Sequence, residues 1–157
     1  MDDHHRFMRE AIRLAFEGMR DGAGGPFGAV VVKNGKIIGH GNNRVAASND
    51  PTAHAEIVAI REACRHLGHF QLEDCTVYTS CEPCPMCLGA IYWARPKKIF
   101  YACTRDDAAA IEFDDDFIYK EFEMPAEERD IPAIPLLRDE ALKAFDEWRD
   151  MDGKVVY

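Results

Sequence analysis

The 157-residue chain has no long apolar run, no excess of basic charge, no internal repeat and no low-complexity segment. Its longest apolar stretches, such as Gly28-Ala29-Val30-Val31-Val32 and Ala90-Ile91-Tyr92-Trp93-Ala94, fall far short of the ~20 residues that a bilayer-crossing helix requires. The opening residues, Met1-Asp2-Asp3-His4-His5-Arg6, are polar and acidic and lack the charged-then-apolar order of a secretory signal. A cytoplasmic location and no membrane partner are therefore expected. Acidic residues outnumber basic ones 28 to 19, for a net charge of −9. Phosphate contacts supply most non-specific nucleic-acid affinity, so this balance disfavours RNA or DNA and favours a small-molecule partner. What remains is a globular composition, 47% hydrophobic and 30% charged, long enough for one domain over 1–157 with its own core. The six cysteines are then expected to be reduced, and a C-x-x-C pair to bind metal or do redox work.

Phe7, Ala11, Leu14, Ala15 and Met19 recur at helical spacing over residues 5–20, and a glycine-rich loop follows. Residues 27–33 and 36–41 are apolar runs separated by Asn34-Gly35, which predicts a β-hairpin with a two-residue turn. Residues 42–52 read as loop, and Asp50-Pro51 reads as the start of a helix running to about residue 66. Strands are expected over 75–79 and 98–102, with a turn and a short helix between them over 83–94. Residues 106–129 are acidic and helix-biased with a break at Pro125, and 131–137, with two prolines, suit an edge strand. A last helix over 141–151 precedes the apolar tail Val155-Val156-Tyr157. This order predicts an α/β fold with a mixed sheet and helices on both faces.

The chemistry gathers in Thr79-Ser80-Cys81-Glu82-Pro83-Cys84-Pro85-Met86-Cys87 and in His54-Ala55-Glu56, which lies thirty residues before Cys84. One His and two Cys make three protein ligands for zinc, the open form of the site that leaves a position for water. Glu56 is not needed as a ligand and is free to move protons. Positions two apart do not face each other within a helix, so His54 and Glu56 converge only near a helix start. Rival readings are weaker. A thioredoxin-like C-x-x-C needs neither His54 nor Glu56. Cys81, Cys84 and Cys87 open an iron–sulfur run, but position 91 is Ile where a fourth Cys belongs. Cys81 is an alternative ligand to Cys84, although Pro83, which fixes the approach to the helix, makes the 84/87 pair the better one. Cys64, Cys75 and Cys103 read as buried small apolar side chains.

The H-x-E and P-C-x-x-C elements match the signature of zinc nucleobase deaminases, and the chain resembles the cytidine deaminase superfamily. More closely it is similar to the short, zinc-dependent bacterial guanine deaminases. That closer likeness is carried by Gly24-Gly25-Pro26-Phe27-Gly28-Ala29, Ser48-Asn49-Asp50-Pro51-Thr52, residues 84–96 and residues 113–121, together with the C-terminal Tyr. The resemblance implies a three-layer α/β/α fold with a five-stranded mixed sheet, and hydrolytic deamination of guanine. It also implies one zinc per subunit, and a homodimer in which a C-terminal segment, about 138–157, is exchanged. Carried over by position, His54, Cys84 and Cys87 would bind zinc and Glu56 would shuttle protons. Asn43 would hydrogen-bond the base edge, Phe27 would wall the pocket, Asp115 would accept from purine N–H groups, and Tyr157 would close the site. Asn43 also suits a simple turn, 114–116 a solvated helix start, and Phe27 plain core. A tRNA adenosine deaminase and a cytosine or cytidine deaminase share the zinc motifs. A catalytically silent zinc-binding interaction protein is the non-enzymatic alternative.

Overall fold

In the computed structural model, which describes residues 3–157, Asn34 and Gly35 both take left-handed backbone, with φ of 50° and 73°. They join β1 (Gly28–Lys33) to β2 (Lys36–Asn42) as the expected hairpin. Two further strands, β3 (Cys75–Cys81) and β4 (Lys98–Cys103), complete a sheet of order β2-β1-β3-β4. β1 is antiparallel to both neighbours, and β3 runs parallel to β4. The sheet is mixed, as expected.

Alternation along the strands builds the layers. Ala29 and Val31 of β1 and Cys75 and Val77 of β3 pack with Ala55, Ala59 and Ala63, and with Ile91 and Ala94. Those partners belong to α3 (Ala55–Leu67) and α4 (Pro85–Ala94). Val30, Val32 and Tyr78 point the other way, onto Phe7 and Leu14 of α1 (Asp3–Arg20). The result is the expected three-layer α/β/α arrangement. β2 meets α3 at close range. A Cβ on Gly41 would lie 2.1 Å from the Ala55 carbonyl oxygen, and one on Gly39 would lie 2.3 Å from that of Ala59. Only glycine allows this approach, and alanines on the facing side of α3 complete it.

Several expectations are corrected. The sheet has four strands among the described residues, not five, because 131–137 is not a strand. Pro132 and Pro135 supply no backbone donors, and the Ala133 N–H is spent on the Ala126 carbonyl. The second helix does not start at Asp50-Pro51. The Asp50 carboxylate instead accepts from the Thr52 N–H and hydroxyl at 2.8 and 2.7 Å, closing a turn that delivers His54 as the N-cap of α3. The 42–52 loop also contains one helical turn, α2 (Val45–Ser48). Among the cysteines expected to be buried, Cys75 is, but Cys64 is only half-buried and Cys103 is exposed.

Contacts divide the chain into two units, one ending at Asp115 and one spanning Asp116–Tyr157. After β4 the first unit ends with α5 (Arg105–Ala109), which opens in a capping box made by Thr104 and Asp107. The second unit contains α6 (Asp116–Glu123), a 3₁₀ turn (Ala126–Glu128) and α7 (Arg138–Asp150). α7 begins three residues before its expected start, after Leu137 in left-handed backbone. Among the described residues no helix is long and apolar enough to cross a membrane. Gly41→Ala should push α3 off β2 and cost about 1–3 kcal/mol, the usual range for overpacking. The midpoint of chemical denaturation measures that loss.

Candidate active site

Two helices begin at the same place. His54 is the N-cap of α3 and Cys84 the N-cap of α4, each in extended backbone with φ of −68° and −66°. Pro85 occupies the first turn of α4, where its missing N–H costs nothing. Cys87, one turn into α4, donates its backbone N–H to the Cys84 sulfur at 3.5 Å. Glu56 lies in the first turn of α3. The His-x-Glu spacing therefore straddles a helix start, as the two-residue separation requires.

The His54 Nδ1 atom lies 3.5 Å from the Sγ of Cys84 and 3.5 Å from the Sγ of Cys87. All three donor atoms fall within 4.8 Å of one another. Tetrahedral zinc with usual Zn–S and Zn–N bonds sets such N···S separations at about 3.6 Å. The donor set fits the metal in both chemistry and spacing. Cys81 is not part of the group. Burial pushes its thiol up to about 12, and the S–H donates to the Thr104 carbonyl at 3.6 Å. The choice between Cys81 and Cys84 thus falls to Cys84.

Electrostatics favour an anionic sulfur at the helix start. The hydrogen-bonded Cys87 thiol, together with His54, holds Cys84 down at about 4, while the same shared proton and burial push Cys87 up. The Cys84 sulfur in turn raises His54 above the ordinary imidazole range. The positive ends of two helices add to the stabilisation of negative charge here. Glu56 is buried, and its desolvation raises the carboxyl above the usual carboxylate range. One Glu56 oxygen accepts from the Thr79 hydroxyl at 3.1 Å, and the Cys87 thiol also hydrogen-bonds the carboxylate.

The other predicted residues of the first unit join this end of the sheet. The Asn43 N–H donates to the Phe27 carbonyl at 3.0 Å, and the Arg44 N–H to that of Ala53 at 2.9 Å, beside His54. Asn43 is buried, and its side-chain oxygen accepts from the Val45 N–H at 3.1 Å, which leaves the amide nitrogen to donate elsewhere. Phe27 packs on the core that includes Ala55 and meets Phe113 edge-on, with ring centroids 5.0 Å apart. Among 114–116 only Asp115 is half-buried. Its carboxyl is raised by burial and further by the nearby Cys84 charge. Tyr157 belongs to the second unit and is exposed. An apolar cavity of about 320 Å³ borders Phe27 and Cys81, but none of His54, Glu56, Cys84 or Cys87 lines it.

Thr79, Phe113 and Gly24 lie in stretches singled out in the sequence, but their individual roles were not read from it. A Cβ on Gly24 would stand 2.0 Å from the Asn43 side-chain oxygen, so that glycine makes room for the amide. A signal for Thr79 was present, since it follows Cys75 and Val77 on the core face of β3. A hydroxyl there must find a partner.

Comparison with known proteins agrees with this geometry. The cytidine and deoxycytidylate deaminase zinc-binding region matches residues 1–103. The chain belongs to this deaminase family. It is 59% identical to the guanine deaminase of Bacillus subtilis over 155 residues, 99% of each chain. The X-ray structure of the B. subtilis guanine deaminase superposes with a TM-score of 0.95 over 98% of both chains. A tRNA-specific adenosine deaminase of Aquifex aeolicus is 43% identical over 96 residues, 61% of this chain and 63% of that one. A guanine deaminase of Nitrosomonas europaea is 35% identical in structure-based comparison, covering 69% and 63%, with a TM-score of 0.66. Zinc is thus the family's metal, and the His/Cys/Cys group provides for it. Cys84→Ser should reduce bound zinc from about one per chain to a small fraction, whereas Cys81→Ser retains it; elemental analysis of the purified variants decides.

Proposed function

We propose that this chain catalyses the zinc-dependent hydrolytic deamination of guanine to xanthine and ammonia. The observation that carries the reading is the extent of the likeness. Identity to the B. subtilis guanine deaminase runs through both units, while that to the A. aeolicus tRNA-specific adenosine deaminase covers 61% of the chain. The net charge of −9 also counts against a tRNA substrate.

His54, Cys84 and Cys87 would hold the zinc. Bound there, the metal supplies the Lewis acidity that makes water a nucleophile near neutral pH. Glu56 would take one proton from the attacking water and give it to a ring nitrogen, where it stays in the product, and would carry the second, from the hydroxyl left on the ring carbon, to the departing ammonia. Its raised affinity for protons suits an acid as well as a base. Asn43 donates from its free amide nitrogen to an acceptor on the base edge. Asp115 accepts from the guanine ring and amino N–H groups. Phe27, backed edge-on by Phe113, covers a ring face. An adenine or cytosine edge turns an acceptor toward Asp115 and leaves a partly buried carboxylate unpaired, which is costly.

Tyr157 closes the site, and the whole chain acts as one deaminase domain in a cytoplasmic homodimer, with the segment 138–157 exchanged between subunits. Support comes from the second unit. Ile131, Ile134, Leu136, Phe145 and Val156 are each more than 70% exposed, an apolar surface that a soluble chain ordinarily covers.

Incubation of the zinc-loaded protein with guanine, guanosine, adenine, cytosine and cytidine should release ammonia from guanine alone, with xanthine as product. Release from adenosine in tRNA but not from guanine would overturn the reading. Glu56→Gln should keep its zinc while turnover falls by roughly 10²-fold or more; full activity in that variant removes the proton-shuttle role. Light scattering should give twice the chain mass, and deletion of 138–157 should lower it to one.

A further inference from the structure

Thr79 lies on the core face of β3 and is 1% exposed, two residues after the apolar Val77. Alternation puts a hydrocarbon side chain at such a position, yet here a hydroxyl is buried between two acceptors. Its Oγ1 stands 3.1 Å from Glu56 Oε1 and 3.0 Å from the Cys81 carbonyl oxygen. A carbonyl only accepts, and a hydroxyl has one proton to give. Thr79 therefore serves one acceptor at a time as donor, while its lone pairs remain open to a donor on the other side.

We propose that Thr79 is the positioning residue of Glu56, fixing the orientation of its carboxyl group. The inference rests on the reading of Glu56 given above. Of the two acceptors beside the hydroxyl, the carboxylate is the stronger, so the Thr79 hydroxyl donates to Oε1. That bond occupies Oε1 and leaves Oε2 to exchange protons with water and base. Thr79 itself is held by β3, where Cys81 is in register with Cys103. Misplacement of a reacting group by about 1 Å can cost on the order of 10²-fold in rate, which sets the scale of the effect.

Thr79→Val removes the hydroxyl and keeps the shape, and Thr79→Ser keeps the hydroxyl and removes a methyl. The inference requires three results from the purified proteins. Thr79→Val holds as much zinc as the parent by elemental analysis, its KM for guanine stays within about 3-fold, and its kcat falls roughly 10- to 100-fold. Thr79→Ser recovers kcat to within about 5-fold of the parent. A kcat for Thr79→Val within about 2-fold of the parent overturns the proposal, as does a serine variant as slow as the valine one, which would make packing the cause. Should the valine variant not fold, Thr79→Cys, with a weaker donor in the same place, is held to the same kcat and zinc criteria. The two readings fail separately. An active Glu56→Gln sinks the shuttle itself, whereas an inactive Glu56→Gln beside a fully active Thr79→Val sinks only the role of Thr79.

Discussion

Buried negative charge is the problem around which the first unit is built. Two cysteine sulfurs, an imidazole and a carboxyl group are brought out of water at one point, and an isolated buried ion is costly. The solution is to begin two helices there. α3 and α4 turn their unpaired N–H groups and positive ends toward the sulfur and carboxyl atoms, with His54 and Cys84 in the cap positions. Neither cap is the Ser, Thr, Asp or Asn that a free helix start prefers. The cap positions are given over to ligands, and in α3 no side-chain hydrogen bond replaces the cap.

Sheet topology makes this convergence possible. β1 is antiparallel to both neighbours, so it starts where β2 and β3 end. Phe27 before β1, Asn43 after β2 and the Cys81–Cys84 segment after β3 are gathered at one rim although they are far apart in sequence. The parallel pairing of β3 with β4 brings Cys103 and the α5 start to the same rim. α3 must then lie close enough to β2 for His54 to reach the cysteines. The absence of side chains at Gly39 and Gly41 and the short ones at Ala55, Ala59 and Ala63 set that distance.

Much of this was legible in the sequence, for identifiable reasons. The hairpin rests on Asn34-Gly35, a turn chemistry with few alternatives. The metal group rests on residue types and a spacing that few other sites share. The start of α3 was misplaced because Asp50-Pro51 has the chemistry of a helix start and also that of a turn. The second use prevails because the Asp50 carboxylate is engaged by Thr52. The fifth strand failed on proline. An edge strand tolerates one missing donor, but two in five residues, with Ala133 bonded back to Ala126, leave no ladder to join. The roles of Thr79 and Gly24 went unread for a different reason. Each is a small residue whose meaning lies entirely in what it faces across the fold, and that information is tertiary.

The site divides into parts that tolerate change differently. The metal group and Glu56 are fixed by two helix starts, so a shift in either helix moves all of them together. The residues assigned to the base sit at strand ends and loops, held by single contacts: Asn43 by the Val45 N–H and the space at Gly24, Phe27 by Phe113. On the proposed roles, substitution there can change which edge is read without disturbing the ligands, which is consistent with a guanine deaminase and a tRNA-specific adenosine deaminase both resembling this chain, the latter over 61% of it. Asp115 stands at the boundary between these parts. Close enough to Cys84 for the sulfur's charge to raise its carboxyl, it is also the last residue of the first unit. A carboxylate in that position gains from a substrate that brings N–H donors and loses from one that brings acceptors. On the proposed reading of Asp115 and Glu56, selection among bases is coupled to the same sulfur charge that acts on the proton-transfer group.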